Sequence, residues 1–353
     1  MNIIDNYLAE LISSNGSDLL IVSEYYPTIR KDGFINKIPG KDMISAEKVS
    51  EIAKEIVESD KFNSLKTIKN FDFAYETVIN NKKERFRCNM YIQKNGINIE
   101  FRFINSVVPS LEDLQLPSAI DKLINHHQGL VLATGAAGCG KSSTMAALLN
   151  IINHKKDCHI ITVEDPIEFI FPRAKAHITQ RQVGKNVDSF QTALRAALRE
   201  DPDVIFVGEM RDLETIQMAI TAAETGHLVL ATLHTNSASK TVDRLVGSFP
   251  IEQQSQIRTM VSESLRGIIS QQLIPRADGN GRVPAVEILI ETLSIANLIR
   301  KSETFKIPSM IETGSSLGMI SMDNSVLNLC KKGIITKEEA ADRLTDQALI
   351  NTI

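Results

Sequence analysis

The 353-residue sequence has no uninterrupted apolar run near the ~20 residues needed to span a bilayer. It is expected to carry no transmembrane segment, so any membrane association would be peripheral. Asp5 and Glu10 interrupt the apolar pattern of the first sixteen residues, which are therefore not expected to act as a signal peptide. The four cysteines, Cys88, Cys139, Cys158 and Cys330, are scattered and form no CxxC pair. That excludes a cysteine-built zinc module and suits a reducing cytoplasmic setting. A formal charge of −4 leaves no footprint for bulk nucleic-acid binding, although a local basic patch stays compatible with it. Internal repeats and low-complexity tracts are missing too. The remainder, 43% hydrophobic and 23% charged, is the balance of a soluble chain with enough core for two or three domains.

The period of the apolar residues divides the chain. Ile3, Ile4, Leu8, Leu11 and Ile12 share one helical stripe that Asn15-Gly16 ends. Leu19–Val22 and Thr28–Arg30 read as short strands, with Pro27 and Asp32-Gly33 as turn signals. Ser45 is an expected N-cap for a helix running to about Ser59. Phe71–Val78, Phe86–Ile92 and Ile97–Ile104, separated by Asn80-Asn81 and Asn95-Gly96, predict an antiparallel meander. Residues 1–106 are thus expected to form a small α+β domain. Residues 107–117, with two prolines and little periodicity, read as a linker. Beyond them, apolar strands at Leu130–Thr134, His159–Val163, Val204–Val207 and Leu228–Thr232 alternate with helices, so residues 118–353 predict an α/β fold with a buried parallel sheet. From about residue 250 the chain reads as mostly helical, interrupted by a hairpin, Ile268–Pro275 and Val283–Ile290.

Gly135-Ala136-Ala137-Gly138-Cys139-Gly140-Lys141-Ser142 fits G-x-x-x-x-G-K-[ST], between a strand and the start of a helix. Backbone N–H groups around Gly135, Gly138, Cys139 and Gly140 would cradle phosphates, helped by the positive end of the helix expected over Ser143–Ile152. Lys141 supplies a point charge to the β/γ-phosphates and Ser142 an oxygen for Mg²⁺, so ATP with Mg²⁺ is the expected ligand pair. Three more strand ends carry chemistry. Val204–Val207 runs through Gly208 into Glu209; with Gly208 where a metal-binding acid might stand, Glu209 is assigned to orienting and deprotonating the attacking water. Ile161-Thr162-Val163-Glu164 ends in an acid that could hold the Mg²⁺ shell instead. His234, after the strand Leu228–Thr232, is placed to hydrogen-bond a γ-phosphate. His227, at that strand's other end, reads equally as a nucleotide contact or as structural.

Taken in order, G-A-A-G-C-G-K-S, T-V-E-D-P-I-E, D-P-D-V-I-F-V-G-E-M-R-D and T-G-H-L-V-L-A-T-L-H-T-N resemble the Walker A, Asp box, Walker B and His box of the secretion ATPase superfamily. Within it the chain is most similar to the retraction ATPases of type IV pili, along essentially its whole length, including Gly16-Ser17-Asp18-Leu19, Ser270-Gln271-Gln272-Leu273 and Gly281-Arg282. The resemblance implies a PAS-like N-terminal domain, a RecA-like core, and a homohexamer that hydrolyses ATP while docked on a polytopic inner-membrane platform protein. It also implies that arginines of the N-terminal sheet reach the nucleotide; the matching positions are Arg87 and Arg102, with Arg85 less favoured. Arg102, in an otherwise apolar strand, has no evident partner in the sequence. Arg195 and Arg199 are candidates for a subunit interface.

Two departures stand out. Ala136, Ala137 and Cys139 replace the family's usual Pro, Thr and Ser, so a thiol beside a helix N-terminus is expected to be reactive. Ala296 replaces an arginine in the retraction helix. The sequence therefore leaves open an accessory paralogue or a type IVB secretion ATPase. Two readings from other classes are a small-molecule kinase and a nucleotide-switched scaffold without turnover.

Overall fold

The structure, a computed structural model, describes residues 2–31, 33–104, 107–346 and 349. Asp32, read above as a turn residue, lies outside the described residues. The chain divides into two compact units, Met1–Val107 and Val108–Ile353.

In the first unit six antiparallel strands lie in the order β3-β2-β1-β6-β5-β4. They are β1 (Asp18–Val22), β2 (Thr28–Lys31), β3 (Phe34–Lys37), β4 (Asn70–Ile79), β5 (Lys82–Gln93) and β6 (Gly96–Ile104). Strand alternation sorts the faces. Leu19 and Ile21 on β1 face Phe101 and Ile99 on β6, which face Cys88 and Met90 on β5. All are buried beneath the helices Ile3–Ser13, Ala46–Ile56 and Ser59–Ile68. The other face carries polar residues, Asp18, Glu100, Arg102 and Arg87 among them. Asn80 and Asn81, both at positive φ (51° and 62°), close the β4–β5 hairpin.

In the second unit seven strands run β13-β12-β7-β11-β10-β8-β9: β7 (Gly129–Thr134), β8 (His159–Glu164), β9 (His177–Gln182), β10 (Val204–Val207), β11 (Leu228–Leu233), β12 (Leu265–Pro275) and β13 (Arg282–Ile290). Every neighbouring pair is parallel except β12–β13. The apolar runs fill both faces. Leu130, Leu132, Ile205, Val207, Val229 and Ala231 pack into one helical layer. Val131, Ala133, Val204, Phe206 and Leu230 pack under the helix Lys141–Lys155 on the other. Leu111 and Leu116 bury in that second layer, so the chain is anchored to this unit from Leu111 onward.

The hairpin expected to interrupt a helical tail instead extends the central sheet. β12 lies parallel to β7, with a register shift between Leu265 and Gly267, where an added methyl would collide with Leu123. Its outer end is covered by the helices Met322–Lys331 and Lys337–Ala341. No helix among the described residues is long and apolar enough to cross a membrane.

Candidate active site

The buried strand β7 delivers the chain to Gly135 at the carboxyl end of the sheet. Gly135 has φ 141°, and a Cβ there would run into the Gln271 carbonyl oxygen and the Cys139 sulfur. Gly140, at φ 94°, caps the helix Lys141–Lys155 from the left-handed region, where glycine is at no steric disadvantage. Lys141 is only 8% exposed. Its ammonium donates to the carbonyls of Gly135 (2.9 Å) and Ala136 (2.8 Å), so the loop holds it across its own mouth. Ser142 and Ser143 follow, half-buried, their hydroxyls in no hydrogen bond among the described residues. A cavity of about 290 Å³ opens over Gly135–Cys139, rimmed by Asn236, Gln271, Arg282 and Arg343.

The reactive thiol expected at Cys139 is corrected by its burial. The residue is 5% exposed, and burial pushes its pKa up against the opposing pull of Lys141 and nearby backbone N–H groups.

Parallel pairing brings the other strand ends to the loop. β11 lies beside β7 with Leu233 opposite Thr134, so His234 emerges next to Gly135. β10 lies on the other side of β11, with Val207 opposite Ala231, so Glu209 emerges beside His234. His234 Nε2 is 2.9 Å from Glu209 Oε1, and its Nδ1 is 3.4 Å from Lys141 Nζ. Because the lysine only donates, Nδ1 accepts and the proton sits on Nε2, donated to the carboxylate. The second Glu209 oxygen accepts from Arg211 Nη2 at 2.6 Å. Burial raises the Glu209 pKa, but the Arg211 bond and the charges of Arg211 and Lys141 outweigh it and hold the carboxyl below the ordinary glutamate value. Thr232 grips both flanks of Glu209: its hydroxyl donates to the Gly208 carbonyl (2.5 Å) and its carbonyl accepts from Met210 N–H (3.1 Å).

Glu164 ends β8, 6% exposed. Its Oε1 accepts from Thr162 (2.6 Å) and Gln180 (3.3 Å), its Oε2 from the Glu168 N–H (3.4 Å), and burial pushes its pKa up to about 7. Gly208 lies close against this strand: a Cβ there would sit 3.2 Å from the Val163 carbonyl oxygen, a tight fit.

Other expected residues lie elsewhere. His227 accompanies the amino end of β11, its Nδ1 3.0 Å from the Ala222 carbonyl of the preceding helix, and is not brought to the loop within this chain. On the polar face of the first unit, pairing registers align Arg30, Asp18, Arg102 and Arg87 in a row across β2, β1, β6 and β5. Arg102 is not partnerless as its sequence context suggested. It donates to Asp18 at 2.8 Å. Arg87 makes no ion pair among the described residues, while Arg85 is 8% exposed and bonded to Glu76. Arg195 and Arg199 are exposed. Gln271, Thr232 and Arg211 escaped the sequence reading as parts of this site. Thr232 and Arg211 lie inside the boxes, which hinted at a role, whereas Gln271 lies outside all four.

A parallel strand feeding a glycine loop into a helix, with an acid and a histidine closing on the loop lysine, places the chain among the P-loop nucleotide-binding proteins. Within that class it belongs to the Type II/IV secretion system protein family, whose model matches residues 3–314. The type IV pilus retraction ATPase PilT of Pseudomonas aeruginosa is 43% identical over 340 residues, 96% of this chain and 97% of that protein. A twitching motility protein of Neisseria gonorrhoeae is 45% identical over 317 residues, 90% of this chain and 84% of that one. A crystal structure of the pilus retraction motor PilT with bound ADP matches at a TM-score of 0.90 and 38% identity, covering 100% of both chains.

Proposed function

We propose that this chain is an ATP-hydrolysing motor that drives type IV pilus retraction. The observation that carries the reading is the run Lys141–His234–Glu209, at 3.4 and 2.9 Å, beside a phosphate loop in a chain matched end to end by retraction ATPases.

In this reading Lys141 exchanges the Gly135 and Ala136 carbonyls for phosphate oxygens when ATP enters. Glu209, kept ionised by Arg211, accepts a proton from the attacking water. His234 holds the Glu209 carboxylate through Nε2–H and stands between it and the lysine, so occupancy of the phosphate site is felt at the base. The unengaged hydroxyl of Ser142, in the first turn of the helix, fits a Mg²⁺ ligand, and the ion would supply charge neutralisation at the phosphates. Glu164 fits less well as a direct ligand, since Thr162, Gln180 and Glu168 already engage its oxygens; an outer-shell role would use a single lone pair. By family resemblance, Arg87 and Arg102 are the further positive charge for the phosphates, the chain assembles as a hexamer, and a polytopic inner-membrane platform protein is its dock. Glu209 weighs against a scaffold without turnover, and no arginine-rich lid supports a kinase.

The test is cellular. In a piliated bacterium deleted for its retraction ATPase, expression of this chain should restore retraction of fluorescently labelled pili, while the Lys141→Ala variant should not. Failure of an ATP-hydrolysing wild-type chain to restore retraction would overturn the assignment and favour an accessory or secretion role.

A further inference from the structure

Gln271 lies on β12, outside the nucleotide-binding boxes, yet its side chain is built into the phosphate loop. It is 2% exposed. Its amide Nε2 donates to the Cys139 carbonyl at 2.6 Å, and its Oε1 accepts from the Thr144 hydroxyl at 2.9 Å. Thr144, 1% exposed, stands on the first turn of the loop helix and also reaches the Gly140 carbonyl at 3.2 Å. The Gln271 main-chain carbonyl presses against Gly135 at the loop's other end. One residue thus touches the beginning of the loop, its last peptide and, through Thr144, the first helical turn.

We infer that Gln271 is a positioning residue that sets the orientation of the Cys139–Gly140 peptide and thereby aims the Gly140 N–H at bound phosphate. The peptide is planar and trans, so its C=O and N–H point in opposite directions. Tying the Cys139 oxygen back to β12 holds the Gly140 N–H on the side away from Gln271. Left free, this peptide could flip, because glycine tolerates both orientations. The amide is suited to the task because it donates to a carbonyl and accepts from a hydroxyl at once, which a carboxylate cannot do. This inference rests on the nucleotide-site reading above.

The test compares wild type with Gln271→Met, which keeps the volume and removes both bonds, and with Thr144→Val and Thr144→Ser. Phosphate release is followed against ATP concentration, ADP binding by calorimetry, and folding by thermal melting. Loss of one well-aimed donor to an anion predicts a KM for ATP and a Kd for ADP raised about tenfold in Gln271→Met, with kcat within about twofold, the pattern of lost uniform binding. Thr144→Val should move KM in the same direction, Thr144→Ser should restore it, and the double variant should be no worse than Gln271→Met alone. If Gln271→Met does not fold, the two Thr144 variants still decide the matter. An unchanged KM and Kd in folded variants, with wild type binding ADP normally, would overturn the role of Gln271 alone. A wild type that binds neither nucleotide would overturn the site reading beneath it.

Discussion

Alkylation of Cys139 separates a reactive loop thiol from a buried one. An unshifted thiol of pKa about 8.5 is roughly a quarter thiolate at pH 8. Burial takes Cys139 below that fraction and leaves only 5% of the residue accessible, with Gly135 packed against its sulfur. Both the reactive species and the access route are scarce, so modification waits on opening of the loop. Cys88 is buried as well, with its pKa pushed well up by desolvation, whereas Cys158 and Cys330 are half-buried. Timed N-ethylmaleimide labelling of the native protein at pH 8, read peptide by peptide by mass spectrometry, should show Cys330 modified first and Cys139 at least about tenfold more slowly, in keeping with thiolate-controlled reactivity and restricted access. Bound ATP should slow Cys139 further. Denaturation should erase the differences. Labelling of Cys139 in the native protein as fast as that of Cys330 would refute the packing described here.

Arg211→Ala removes the strongest influence lowering the Glu209 pKa, so the acid limb of the kcat/KM profile should move to higher pH; an unmoved limb would remove Glu209 as the titrating base. Gly135→Ala places an L-residue at φ 141°, roughly 1–2 kcal/mol of strain before the contact with the Gln271 carbonyl, so ATP affinity should fall at least about tenfold, and calorimetry showing an unchanged Kd would contradict the loop geometry. Tyr75 has its pKa pushed up to about 12, first by burial and with its hydroxyl donated to Asp5, so its share of stability is full below pH 10 and is lost as pH climbs from 10 toward 12. Burial raises the Tyr91 pKa as well, so ultraviolet titration should show late tyrosine ionisation whose last step vanishes in Tyr75→Phe.

The parts of this architecture with strong local patterns were readable in the sequence. β7, β8, β10 and β11 appear within about a residue of their expected bounds because each is a continuous apolar run buried on both faces. Lys141, Glu209 and His234 were legible for a related reason: each follows such a strand, and parallel pairing carries strand ends to one edge. Elements without a periodic signature were missed. β3 is exposed along its whole length, the helix Ser59–Ile68 buries only Leu65 fully, and the half-buried edge strand β9 alternates in neither period. The attachment of β12 to β7 is a long-range parallel pairing that no local signal encodes. Gln271 was hidden for the same reason, since a buried glutamine in a strand declares nothing until its partners on the loop are known. Arg102 shows the opposite failure: its partner Asp18 lies 84 residues away in sequence and directly across the sheet.

The proposed function makes Lys141 and Glu209 parts of one hydrolytic site. Steady-state phosphate release from ATP and Mg²⁺ by wild type, Lys141→Ala and Glu209→Ala, with ADP binding measured on the same samples, tests it most directly. Release is expected from wild type, with loss of about a hundredfold or more in both variants, and with ADP binding weakened in Lys141→Ala but retained in Glu209→Ala. Phosphate release from Glu209→Ala at the wild-type rate would contradict it.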